Sequence, residues 1–148
     1  MQFKNIGPGS PEAIWLYVKN GHSAALAKDT WVAYAFAAGA RDGATVVPIT
    51  AASNATMVAG VVPEAIPVGE KGYICVWGVY DTALCVGNAT TPLAAGSLLG
   101  VKSNGGNAEG YDTAAAYPPT GIFLEPTFTA GAGSTATPFH GRVLVRCL

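Results

Sequence analysis

Nineteen Gly and ten Pro residues are spread along the whole of this 148-residue chain, and their spread limits its fold more than any other feature. Both residue types weaken or break a helix interior. Two Ala-rich runs compete for helix, but neither reaches the roughly ten residues of an ordinary one. Residues 24–27 are bracketed by Gly21 and by Asp29-Thr30, and residues 114–116 stop at Tyr117-Pro118-Pro119. The clear periodic signal is period two. In residues 13–19 one face carries Ile14, Leu16 and Val18, and the other carries Trp15 and Tyr17. That is the alternation of a strand with an aromatic outer face. Asn20-Gly21 follows as a turn, and residues 31–36 again alternate large with small. Further strands are read at 44–49, 56–62, 72–80, 83–86, 97–101, 121–125 and 142–147. About nine short strands with turn chemistry between them predict an all-β chain, a single compact β-sandwich or β-barrel domain over residues 13–148. Residues 1–12 read as an extended, Gly/Pro-punctuated arm. Two long Gly/Ala-rich loops are expected at 102–119 and 129–139, suited to packing on another protein or to surface flexibility.

Charge narrows the function classes. Half of the chain is apolar and only 11% is Asp, Glu, Lys or Arg, against roughly 25% in an ordinary soluble domain. Such a composition argues against disorder and against a coiled coil. Eight basic and nine acidic residues leave a net charge of −1, with no footprint for nucleic acid and no basic cluster for an anionic membrane. The uncharged stretches 43–63 and 82–101 have the length of a membrane span, but Pro, Gly, Asn, Ser and Thr interrupt both. No apolar h-region follows Met1, so no signal peptide is expected and the chain reads as soluble and unexported. Low charge promotes association, and a symmetric homo-oligomer is expected to hide apolar surface. Trp15, Tyr17, Trp31 and Trp77 stand either in the core of a two-sided sheet or on its outer face.

Residue types that carry chemistry are sparse. Cys75, Cys85 and Cys147 show no C-x-x-C spacing and read as small buried apolar residues. A Cys75–Cys85 disulfide stays open. With only His22 and His140 to supplement them, no zinc ligand set emerges. Either histidine is a candidate general base, but no G-x-S-x-G elbow accompanies it. The nine carboxylates fall mostly in turns, and nothing selects a glycosidase pair. Gly105-Gly106-Asn107 and Gly131-Ala132-Gly133-Ser134 lack the Lys and helix of a phosphate loop, and no Asp cluster suits calcium. Asp81 reads as a turn or bulge residue capping backbone amides. The triplets at Asn54 and Asn88 fit the glycosylation pattern and read as loop residues. No catalytic, cofactor-binding or metal-binding residue is therefore assigned.

Several stretches resemble bacteriophage head decoration, or capsid cement, proteins. Residues 18–32 look like that family's opening, where an "A-L-x-K-G-D" step joins two strands. The middle is the best match, Ala59-Gly60-Val61-Val62-Pro63-Glu64-Ala65-Ile66-Pro67-Val68-Gly69-Glu70-Lys71-Gly72-Tyr73 followed by residues 74–78. Leu93-Ala94-Ala95-Gly96-Ser97-Leu98-Leu99 is similar to an "I-A-A-G-D-P-L" step, and residues 141–146 to the closing strand. The chain departs from the pattern at Asp29-Thr30, where Gly-Asp is usual, and at Ser97, where Asp is common.

The resemblance implies a structural virion protein rather than an enzyme. It would be made in the bacterial host cytoplasm and would bind the outer capsid surface of the mature head. Its partners would be the major capsid protein and its own copies, as a trimer or a dimer. The arm is expected to order on binding, with Phe3, Ile6 and Pro8 as capsid-binding residues. Trp15, Tyr17, Tyr111 and Tyr117 are candidate oligomer or surface contacts. Two rivals are a carbohydrate-binding or adhesion β module using those four aromatics for stacking, and a small hydrolase built around His22 or His140.

Overall fold

A computed structural model describes residues 2–4, 12–36, 42–50, 57–87, 92–101, 106–111, 118–127 and 137–147. These residues contain no helix, and none is therefore long and apolar enough to cross a membrane. Ten strand segments make one continuous sheet. Nine form the body: β2 (Ala13–Asn20), β3 (Trp31–Tyr34), β4 (Thr45–Pro48), β5 (Val58–Val61), β6 (Lys71–Gly87), β7 (Leu98–Val101), β8 (Ala108–Gly110), β9 (Gly121–Phe123) and β10 (Thr137–Arg146). The tenth, β1 (Gln2–Lys4), belongs to the arm and pairs antiparallel with Ala13–Trp15 of β2. The domain is all-β, as the period-two pattern predicts.

The seventeen-residue β6 organises everything else. One closed circuit runs β2–β4–β3–β5–β6 and returns through the β2–β6 ladder, giving a five-stranded barrel. The remaining strands leave from the other half of β6 in the order β10–β9–β7–β8, and β8 returns to β6 at Cys85 and Val86. Closure of this kind removes exposed edges within the two circuits, while β1 stands at the end of the sheet order. Val18, Val32, Val46, Ile74 and Val76, joined by Leu26 and Ile66, fill the barrel. A second cluster, with Leu99, Phe123, Val143, Val145 and Cys85, occupies the other circuit and the seam between the two. β3 lies across that seam. Val32 belongs to the barrel cluster, whereas Trp31 and Ala33 belong to the seam cluster, so both faces of the strand are covered.

Several local expectations need correction. The readings at 72–80 and 83–86 are a single strand, and Asp81 is a bulge residue within it rather than a turn residue. Its exposed carboxylate meets Arg142 Nε at 3.1 Å across the ladder, and Asp81 and Thr82 together face Arg142 in a bulge of β6 between the Ala83–Gly141 and Tyr80–Val143 pairs. The loop expected at 102–119 contains β8, too short and too Gly-flanked to announce itself. The described part of the loop expected at 129–139 likewise belongs to β10.

The three cysteines are free thiols. Cys75 and Cys85 lie ten residues apart on the same strand, about 30 Å at ordinary strand rise, so they cannot bridge. Burial pushes the thiols of Cys75, Cys85 and Cys147 up to about 12, which keeps them protonated and unreactive at neutral pH.

Candidate functional site: an aromatic groove on the barrel

The outer face of the β2–β6 ladder follows directly from the alternation read in residues 13–19. Ile14, Leu16 and Val18 turn toward the barrel core, leaving Trp15, Tyr17 and Lys19 on the opposite side. Antiparallel pairing sets Tyr17 directly against Tyr73 and Lys19 directly against Lys71. The two tyrosine rings meet at 4.9 Å between centroids with their planes 49° apart. They remain 52% and 42% exposed, so neither is needed to fill the core. Trp15 is half-buried beside them and packs on the seam cluster.

A second wall faces this ladder. Pro63, Glu64, Ala65, Ile66 and Pro67 close an open groove of about 770 Å³ whose other side is Trp15, Tyr17, Lys71, Gly72 and Tyr73. Three devices hold this wall in place. Leu26 and Ile66 exchange backbone hydrogen bonds, each 3.0 Å. The buried Asn20 side-chain amide donates to the carbonyls of Ile66 at 2.9 Å, Pro67 at 3.1 Å and Ala24 at 2.9 Å. Finally, residues 67–70 form a tight turn in which Gly69 takes φ 74°, and the Glu70 N–H donates to the Pro67 carbonyl at 3.2 Å. A positive φ at the third position of such a turn suits Gly. A buried amide with its hydrogen-bonding capacity used in this way fixes geometry as well as stability.

The residues singled out by sequence separate in space. Trp15 and Tyr17 share the groove. Tyr111 follows β8 in the other circuit, where its N–H donates to the Leu98 carbonyl, and it does not line the groove. Phe3 pairs through its backbone with Ile14 in β1. Ile6, Pro8 and Tyr117 lie outside the described residues, as do both glycosylation triplets. Of the tryptophans, Trp31 is fully buried while Trp77 is 36% exposed, with the Arg146 guanidinium 6.0 Å from its ring centre. Sequence reading missed Tyr73, Lys71 and the 63–67 wall, because only the register of β2 on β6 brings them to Tyr17.

The histidines are not arranged for nucleophilic catalysis. His22 Nδ1 accepts from the Ala24 N–H at 3.2 Å. His140 Nδ1 lies 3.0 Å from the Thr82 carbonyl and 3.3 Å from Asp29 Oδ2. Because a carbonyl only accepts, the proton belongs on Nδ1. The two hydroxyls beside this pair, Tyr80 at 2.6 Å and Thr82 at 2.7 Å, both donate to Asp29 Oδ1 rather than to the imidazole. Burial, and then the Asp29 carboxylate, push the Tyr80 phenol well above its usual value. Among the described residues no group of three or more His, Cys, Asp or Glu side chains is placed to hold a metal.

Asp29 is better explained as a latch. Its backbone takes φ 64°, a left-handed conformation that glycine adopts most easily. Its N–H donates to Val62 at 2.7 Å, and its carbonyl accepts from Leu84 at 2.8 Å. The residue therefore ties the barrel to the second half of β6. Asp29→Gly is expected to relieve the backbone while leaving the buried Tyr80 hydroxyl only the Val62 carbonyl, at 3.4 Å. The net loss should be about 1–2 kcal/mol in urea unfolding, the hydroxyl outweighing the strain. An unchanged midpoint would show that the carboxylate contributes no more than the backbone strain costs.

The chain matches no protein-family model and no curated protein.

Proposed function

We propose that this protein is a bacteriophage capsid decoration protein. It acts without catalysis, binds the outer surface of the mature head as a homo-oligomer, and bridges neighbouring shell subunits. The observation that carries this reading is the position of β1, the arm strand at the end of the sheet order, which pairs only with β2 among the described strands. A strand so placed offers backbone donors and acceptors for another chain to extend, the mode of recognition known as strand addition. The resemblance over most of residues 13–148 supports the same reading, as does an all-β body with a further strand at Gln2–Lys4.

Self-association is supported by the far circuit. Leu98 pairs with Ile122, and Ile122 pairs with Leu144, so all three lie on one face, with Leu124 two residues further along. Leu98 and Leu124 are exposed there. An apolar strip of this kind suits a second copy of the chain. The physics suits the role as well, because packed DNA presses outward on a head, and many identical clamps sum to a large effect even when each is modest.

Deletion of residues 2–10 is the direct test. The truncated chain should keep its folded spectrum and its unfolding transition, yet fail to co-sediment with mature heads that lack the native protein. Undiminished co-sedimentation would overturn the arm's part in attachment.

A further inference from the structure

The groove between the tyrosine pair and the 63–67 wall has a feature that shell attachment does not explain. Lys19 and Lys71 stand directly opposite each other, both exposed, at the end of the row that contains Tyr17 and Tyr73. Like charges at a cross-strand pair destabilise a sheet. Neither lysine forms an ion pair with a described carboxylate. Two exposed lysines at one cross-strand pair, next to an exposed aromatic pair and a pre-formed groove, make a place for an anion attached to a ring-shaped, partly apolar body.

We propose that this groove binds an acidic saccharide, a chain of pyranose units carrying carboxylates. The apolar C–H face of a sugar ring packs on the exposed ring of Tyr17, where an aromatic face offers a large and geometrically specific contact. Its carboxylate lies between Lys19 and Lys71, turning a repulsive pair into two charge-assisted hydrogen bonds. Glu64, on the opposite wall, accepts from sugar hydroxyls. The walls are already fixed by the Asn20 amide, the Leu26–Ile66 bridge and the turn at Gly69. Little ordering is then lost on binding, which favours a ligand that supplies only modest contacts per unit. An acidic peptide shares the charge but gains less from the tyrosine platform.

This inference is independent of capsid attachment, since the groove lies on the barrel and the test needs no shell. The full-length protein is titrated calorimetrically at low salt with tetragalacturonate, with neutral maltotetraose and with a hexaglutamate peptide. Tetragalacturonate is expected to bind at least about tenfold more tightly than either other probe, a difference of about 1.4 kcal/mol. Tyr17→Ala should weaken it about tenfold, while Tyr17→Phe keeps the ring and the affinity. The double change Lys19→Gln, Lys71→Gln should abolish the preference for the acidic sugar, with an unchanged melting curve certifying each fold. No binding of tetragalacturonate by the native protein would overturn the proposal. So would equal binding of hexaglutamate that ignores Tyr17→Ala, which would identify a simple acidic-peptide site.

Discussion

Trp31→Ala should lower the unfolding free energy by about 3–5 kcal/mol, the range for removing a large aromatic from a core. For a chain of this size that corresponds to a fall in Tm of about 10–16 °C. Trp31 is fully buried at the seam, and its indole Nε1–H donates to the Leu84 carbonyl at 3.1 Å. Its backbone N–H donates to Gly106 at 2.8 Å, so one residue meets the barrel, β6 and the approach to β8. The cavity left by Ala would open between two closed circuits, neither of which can collapse without straining its own ladder. Urea unfolding alongside Tyr17→Ala provides the comparison. The exposed tyrosine should cost no more than about 0.5 kcal/mol, and equal losses at the two sites would contradict the placement of the core.

Gly78→Ala should be about as severe, for a different reason. Gly78 has φ 110°, and a methyl group there would collide with the Glu12 carbonyl oxygen and approach Ala13 Cα at 2.7 Å. Both obstacles are backbone, so no side chain can turn aside. The glycine pairs with Ala13, one pair from the point where β2 slips by one residue on β6, between Ile14 and Trp15. Overpacking costs about 1–3 kcal/mol, and a side chain at such a φ about 1–3 more. Together they give about 2–6 kcal/mol, measured by thermal unfolding. Gly43→Ala is the control, since Gly43 also has a positive φ, 65°, but a methyl group there meets nothing within 4 Å. If both variants lose the same amount, the slip does not require close approach.

Much of the fold was legible because it depends on local patterns. The split of residues 14–18 into an apolar and an aromatic face holds, since a half-exposed strand obeys strict alternation. Trp31-Val32-Ala33 was harder to place. Both faces of β3 are covered, and a strand buried on both sides carries no polar residues to show which way it faces. The unity of β6 was hidden by Asp81 and Thr82, polar residues in mid-strand. Their partners, Arg142 and Asp29, are 61 and 53 positions away. The candidate site was half legible. Trp15 and Tyr17 were singled out for their aromatic face, but Tyr73 and Lys71 join them only through a register that no local pattern encodes. Asp29 was visible as a departure from a Gly-Asp step, and its positive φ supplies the reason a glycine would suit that position.

The long shared strand also has a mechanical meaning. β2 lies along residues 71–78 of β6 on one edge, and β10 lies along residues 77–87, both antiparallel to it. The first and last long strands of the body therefore run in the same direction, overlapping the two halves of one splint as in a lap joint. Tension between Lys19 and Thr137, which pair with Lys71 and Gly87 at opposite ends of β6, loads each ladder in shear, so that its hydrogen bonds share the force and break together rather than unzipping singly. Stretched this way the molecule is stiff and gives little warning before it yields, while a pull across the strands would peel it open at low force.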